Sequence, residues 1–464
     1  MPETTPDDRQ RLLPVLGLTS ATMIVVGEVI GSGIFLKPQS IAAATGGHVG
    51  LILTLWGLCG IINLCGALAL AELSAMYPHA GGTYVYLREA YSRWWAFLWA
   101  WAEFWVIRTG STAALAVAAS YPLETLLLRA GLPVAPEDRR WMQVVLAVSS
   151  ITLLGVVNGI GTVWGGTVQN LMTAVKIASV AFLAVLPLMA WEREPIELGP
   201  LWPERFDATL LSGIGIALAS IMWAYDGWGN VTVVAEEIRD PQRNVPRSLI
   251  GGVLLLVVLY TGANFAYHLT LTSAEIAAIT LPGVPAASVA EKLLPNIGER
   301  LVLGMMMISA FGALNGNILV GPRVVYAVAR DFPRFGRLGY VSARTQTPVV
   351  AIVLVCGWSI LLVLLADWSP DKSLPLFDVL TNYCIFGGSI FYLSAVLAVF
   401  VLRRKRPDTP RPYATWGYPF VPAAFVIFYV WFLGQMFLGR PVECGVGLGF
   451  IALGGVAYLF GRQK

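Results

Sequence analysis

The chain has 464 residues, of which 56% are hydrophobic and only 13% charged, with a mean hydropathy of +0.69. Soluble globular proteins carry about 25% charged residues, so this balance excludes a water-soluble domain and requires a polytopic membrane protein embedded in a lipid bilayer. A net charge of +3, with the basic residues scattered along the chain, excludes nucleic acid as a partner.

Residues 1–14 are polar and carry no apolar core, so they are expected as a cytoplasmic N-terminal tail, with the first span acting as the insertion signal. Hydropathy predicts twelve spans, at about 15–44, 49–77, 94–127, 141–163, 167–190, 208–238, 246–270, 298–328, 348–366, 375–402, 417–438 and 443–461. With the N-terminus inside, nineteen Lys and Arg fall in cytoplasmic segments and nine on the other side. That bias places both termini in the cytoplasm of a multi-pass plasma-membrane protein. The five cysteines show no metal-ligand spacing and no disulfide framework is expected.

Span 1 contains Gly31-Ser32-Gly33 in the middle of an apolar run, where helix breakers are least tolerable. Span 6 repeats the anomaly at Asp226-Gly227-Trp228-Gly229. The interruptions lie five spans apart, and because five is odd, equivalent helices in two such halves run in opposite directions. Paired broken helices in inverted halves mark a transporter's binding site. The organisation expected is a first repeat at 15–190 (spans 1–5), a second at 208–402 (spans 6–10), and two further helices at 417–461.

A break after Ile30 frees the amides of Gly31, Ser32, Gly33 and Ile34 at the positive end of a half-helix, which suits a carboxylate. Carbonyls near Val29 on one side, and of Trp223, Ala224 and Asp226 on the other, suit a cation. Amides facing carbonyls describe a site for a zwitterion, and an α-amino acid is the obvious small one. Gly31-Ser32-Gly33 alone is also readable as a small-residue packing face; its pairing with the second break argues for binding.

The chain resembles the amino acid–polyamine–organocation transporters, and within them the L-type amino acid transporter branch. The resemblance rests on "IGSGIF" (30–35), "AELSAMYPHAGGTYVYLREAY" (71–91), "VQNLMTAVK" (168–176), "WAYDGW" (223–228), "EEIRDPQRNVPRSL" (236–249) and "GALNGNILVGPRVVYAVARD" (312–331), in the family's order. It implies an all-α membrane protein with a leucine-transporter-like 5+5 core, broken helices 1 and 6, and two extra helices. It also implies alternating access, often as exchange, with the carboxylate on Ser32 and Gly33, Gly31 alongside, and the ammonium on carbonyls of Val29, Trp223 and Asp226. Trp223 matches the aromatic that closes over substrate, with Gly227 permitting the break. Lys176, buried in mid-span, matches the lysine that replaces a sodium ion between spans 1, 5 and 8, and is expected to bond carbonyls near Gly31 and the span 8 backbone. The implied function is sodium-independent exchange of neutral amino acids, small ones first; proton symport and acceptance of cationic amino acids are alternatives.

Several residues stay open on sequence alone. Glu28 departs from the family pattern and either pairs with Lys176 or stays protonated against backbone. Glu103 and Arg108 form an internal pair or part of a proton path. Asp226 is read first as a helix N-cap and second as a selectivity residue. Asn315 lines the cavity or lets helices pack. Segment 78–93 resembles the family's gating helix, and Glu236, Glu237, Arg239 and Arg247 either contact it, Arg323 or Asp331, or are ordinary surface charges. The loop 129–140 lacks the cysteine by which animal relatives bind a heavy chain, so no disulfide-linked partner is expected. No G-x-S-x-G, H-E-x-x-H or Walker A motif and no cluster of its three histidines suggests an enzyme, a metal or another cofactor.

Overall fold

A computed structural model describes residues 14–160, 163–189, 198–280, 283–342, 345, 347–367, 376–439 and 441–461. Residues 1–13 of the expected N-terminal tail lie outside it, as do Arg193, Arg344, Lys372, Arg440, Arg462 and Lys464 of the charge count. The described residues are all-helical. Eleven helices are long and apolar enough to cross a bilayer, and a shorter apolar helix, Cys444–Phe460, follows in the position expected for span 12. Their outward faces are apolar: Val258 and Leu171 are about 70% and 67% exposed, as lipid-facing side chains are. All five cysteines are free thiols.

The span ends differ from the sequence reading by a few residues, most at span 7, which begins at Pro241 and not near 246. Pro241 supplies a ready-made first helical position, and Pro246 is absorbed in the next turn. Spans 1 and 6 are both discontinuous. Span 1 runs Leu18–Val29, leaves the helix at Ile30 (ψ 89°), and resumes as Gly33–Leu36 and Pro38–Ala44. Span 6 runs Ala208–Tyr225, turns through Asp226 (ψ 150°) and Gly227 (φ +108°), and continues as a 3₁₀ segment, Trp228–Glu237. Span 3 departs from regular geometry as well: between Arg93–Ala102 and Thr109–Arg129 lies a π-helical turn, Glu103–Arg108.

The two breaks touch. A Cβ on Gly33 would lie 2.6 Å from the Ala224 Cα, and one on Gly227 would lie 3.2 Å from the Glu28 carbonyl. Only glycine lets the backbones approach so closely, and only glycine adopts the Gly227 φ without strain. At the arginine-rich end the halves are also joined by backbone, with Leu16 N–H donating to the Glu237 carbonyl (2.9 Å) and Arg239 N–H to that of Leu16 (2.8 Å).

The left-handed backbone at Gly227 gives the first test. Gly227→Ala is expected to cost about 1–3 kcal/mol, from positive φ and the contact with Glu28. Thermal unfolding of the detergent-purified protein should show a midpoint lowered by several degrees; an unchanged midpoint would mean that this turn is not tightly held.

Candidate substrate site

Between the breaks lies a cavity of about 70 Å³, lined on one side by Val29, Gly31, Ser32 and Gly33 and on the other by Trp223, Asp226 and Gly227. A single water occupies roughly 10–15 Å³ measured this way, so the space matches a solute of a few heavy atoms. The helix resuming at Gly33 bonds back to Ser32 and Gly33 through the N–H groups of Phe35, Leu36 and Lys37. Among the described residues, no backbone carbonyl takes the N–H groups of Gly31, Ser32, Gly33 or Ile34. Ser32 is 1% exposed, and its hydroxyl has no hydrogen-bond partner. Unpaired amides and an orphaned hydroxyl beside a small cavity are an anion receptor in waiting.

The carbonyl side differs from the sequence reading. Val29 O accepts from Tyr260 Oη (3.0 Å), and Trp223 O accepts from the Asp226 amide of its own turn (3.2 Å). The Trp223 carbonyl is therefore not free as expected, because the chain closes a tight turn before leaving the helix. Ala224 sits against Gly33 at the contact between the breaks. Asp226 is not an N-cap: Gly227 holds that position for the following segment without any side-chain cap, and the Asp226 carboxylate turns to Tyr392 of span 10.

Lys176 is fully buried and donates to the Gly27 carbonyl at 2.7 Å. The sequence reading put this contact near Gly31, one turn later. The carbonyls there belong instead to Ser309 of span 8, whose hydroxyl lies 3.1 Å from Ile30 O and 2.9 Å from Gly31 O. Lysine and serine thus divide the end of the first half-helix between them. Span 8 accommodates the lysine at Gly312, where a Cβ would lie 2.8 Å from its Cε.

A polar wall closes the cavity toward the arginine-rich end. Arg108 donates to Glu103 Oε1 through Nε (2.9 Å) and Nη2 (2.6 Å), to Asn230 Oδ1 (2.9 Å) and to Asn317 Oδ1 (2.8 Å). Glu103 and Arg108 are five residues apart, about 140° around an α-helix; the π turn brings them onto one face. Asn230 Nδ2 donates to Glu28 Oε2 (3.0 Å), so Glu28 joins this wall and not Lys176 directly. Asn317 lines the cavity; Asn315 faces away and accepts from Asn158 of span 4 (2.8 Å).

Both ends of the path are latched. At the arginine-rich end Arg323 pairs with Glu237 (2.6 Å), Glu236 accepts from the Ala80 amide (3.2 Å), and Arg88 pairs with Asp331 (2.7 Å), which also accepts from Tyr84 Oη (2.8 Å). Ala80, Tyr84 and Arg88 belong to the 78–93 segment, whereas Arg239 turns to the Pro14 carbonyl. Burial disfavours charge on Arg88, but the bond to Asp331 more than offsets it and raises its pKa above the ordinary value. Burial, then the same aspartate, pushes the Tyr84 phenol up.

At the opposite end sits a latch that sequence reasoning missed. Lys37 donates to Asp378 (2.6 Å) and Thr381 (3.2 Å) of span 10, and its ammonium lies 4.6 Å from the Phe377 ring centroid. Phe377 meets Trp223 edge-on at 5.8 Å. Lys37 has no role in the sequence reading; its 3% exposure is what marks it.

A helical membrane bundle with a small polar cavity between two interrupted spans, tied by ion pairs at both ends, is built as a carrier of small solutes and not as an open channel. The amino acid permease family model matches residues 16–450, and the chain belongs to that family; it is an amino acid transporter. It is 30% identical to a serine/threonine exchanger of Bacillus subtilis over 454 residues, 97% of each chain. It is also 30% identical to the mouse large neutral amino acids transporter small subunit 2 (96% of this chain, 80% of the relative), and 30% to the human b(0,+)-type amino acid transporter 1 (86% and 77%).

Two variants test these assignments. Lys176→Ala leaves the Gly27 carbonyl unpaired and is expected to cut transport at least tenfold while the protein still elutes as a folded species in gel filtration; unchanged transport would remove Lys176 from the mechanism. At the Lys37–Asp378 pair, a double-mutant cycle of Lys37→Ala and Asp378→Ala on KM should show coupling of about 1–3 kcal/mol; independent effects would mean the pair does not act as a latch.

Proposed function

We propose that this protein is a sodium-independent exchanger of neutral amino acids, small ones first, working by alternating access. The observation that carries this is the meeting of the two breaks, where Gly31, Ser32 and Gly33, whose amides no backbone carbonyl takes, and the unpartnered Ser32 hydroxyl lie at a 70 Å³ cavity. The amides receive the α-carboxylate at Ser32 and Gly33, and the ammonium approaches Asp226, the Ala224 carbonyl and the second lone pair of Val29. Trp223, braced by Phe377, covers the substrate on the outer side. The name of one relative, a serine/threonine exchanger, agrees with the cavity size, and both it and the large neutral amino acids transporter are named for neutral substrates.

Lys176 supports sodium independence. A fixed ammonium on the Gly27 carbonyl supplies the charge that a bound cation would, and it does not dissociate with the ion gradient. In this reading the halves 15–190 and 208–402 rock about the cavity, and the Arg323–Glu237 and Lys37–Asp378 pairs open in turn. The protein stands alone in the cell membrane, both termini cytoplasmic, without a disulfide-linked heavy chain and without enzymatic activity of its own.

The test uses proteoliposomes. Uptake of labelled serine or alanine is expected only when the vesicles are preloaded with unlabelled amino acid, and should be equal in sodium and choline. Uptake into empty vesicles driven by an imposed sodium or proton gradient would contradict exchange.

A further inference from the structure

The polar wall keeps one N–H of Arg108 uncommitted close to a carboxylate oxygen of Glu28 that holds a single hydrogen bond, from Asn230. A guanidinium has five N–H bonds, and Arg108 commits four: two to Glu103, one to Asn230 and one to Asn317. The fifth, on Nη1, lies on the side of Glu28, whose Oε2 is 4.0 Å away. That separation is too long for a hydrogen bond. An oxygen placed off the axis, about 2.8 Å from both atoms, closes the gap, accepting from Arg108 and donating to Glu28. Both side chains line the cavity and are more than nine-tenths buried, and Asn230 holds both in place from span 6.

We propose that Arg108 and Glu28 form a side-chain subsite that reads a hydroxyl, making them the specificity-determining residues of this transporter. The inference rests on the reading of the breaks as an amino acid site. Glu28 is two residues before Ile30 and its carbonyl abuts Gly227, so the subsite adjoins the amides that take the carboxylate. A β-hydroxyl of serine or threonine spans the donor and the acceptor at once. Alanine and valine offer nothing to the fifth Arg108 N–H or to the second acceptor position of Glu28 Oε2, and a site loses affinity for isosteres that lack the polar group it is built to bond. A charged side chain gains nothing, because Arg108 already faces Glu103 and Glu28.

The test is competition for labelled serine exchange in proteoliposomes of the wild-type protein, using the isosteric pair threonine and valine, with asparagine as a third competitor. Threonine is expected to compete at least about tenfold better than valine and better than asparagine. Equal inhibition by threonine and valine, or preference for asparagine, overturns the subsite even if exchange itself is intact. No response to any amino acid overturns both the subsite and the functional reading beneath it. In Glu28→Leu the threonine-to-valine ratio should fall toward one, whereas Glu28→Gln, which keeps a carbonyl acceptor, should retain most of it. Because the ratio is read within each variant, a general loss of transport divides out. A ratio unmoved in Glu28→Leu removes Glu28 from specificity, and should that variant fail to fold, the wild-type competition decides alone.

Discussion

A peptide group without a partner has nowhere to turn inside a bilayer, and that constraint governs the whole molecule. Two spans are interrupted in mid-membrane, and nearly every unusual residue in the sequence is explained by what it does to the exposed backbone. Lys176, Ser309 and Tyr260 take carbonyls from the end of the first half-helix. Gly33 and Gly227 let the breaks press together and hide each other from lipid. What this arrangement leaves unclaimed is a patch of amides and the hydroxyl of Ser32, the part of the site that only a ligand completes.

The same economy extends outward. Asn230 lies just past the second break and links Glu28 of span 1 to Arg108 of span 3, while Arg108 reaches Asn317 of span 8. Four spans therefore meet at one buried charge cluster beside the cavity. Lys37 plays a comparable part on the other side: one turn beyond Gly33, it ties the resumed half-helix to span 10. Movement of span 1 has to disturb the unclaimed amides, the polar wall and the Lys37–Asp378 pair together, so in the proposed function occupancy of a small cavity can influence which end opens.

Much of this was legible in the residues because the bilayer makes anomalies conspicuous. Glycine, serine and aspartate in an apolar run, and a lysine in mid-span, stand out against lipid as they would not against water. What stayed hidden depended on rotation and reach. Asn315 and Asn317 differ by two residues and about 200° of helix, and the sequence does not say which faces the cavity. The N-cap reading of Asp226 failed because the chain restarts through a left-handed Gly227, freeing the carboxylate to turn toward Tyr392, 166 residues away. The partner of Lys176 was placed a turn too late, since the tilt of span 5 against span 1 leaves no trace in spacing. Lys37 gives no signal in sequence because its partners, Asp378 and Thr381, are more than 340 residues away.

The most direct test of the account is a structure of the protein with L-serine bound. The account predicts one carboxylate oxygen within about 3.2 Å of the Ser32 and Gly33 amides, and the ammonium on the span 6 side of the cavity. A serine whose carboxylate lies on Arg108, or one found anywhere that leaves the Gly31–Ile34 amides bare, would contradict it.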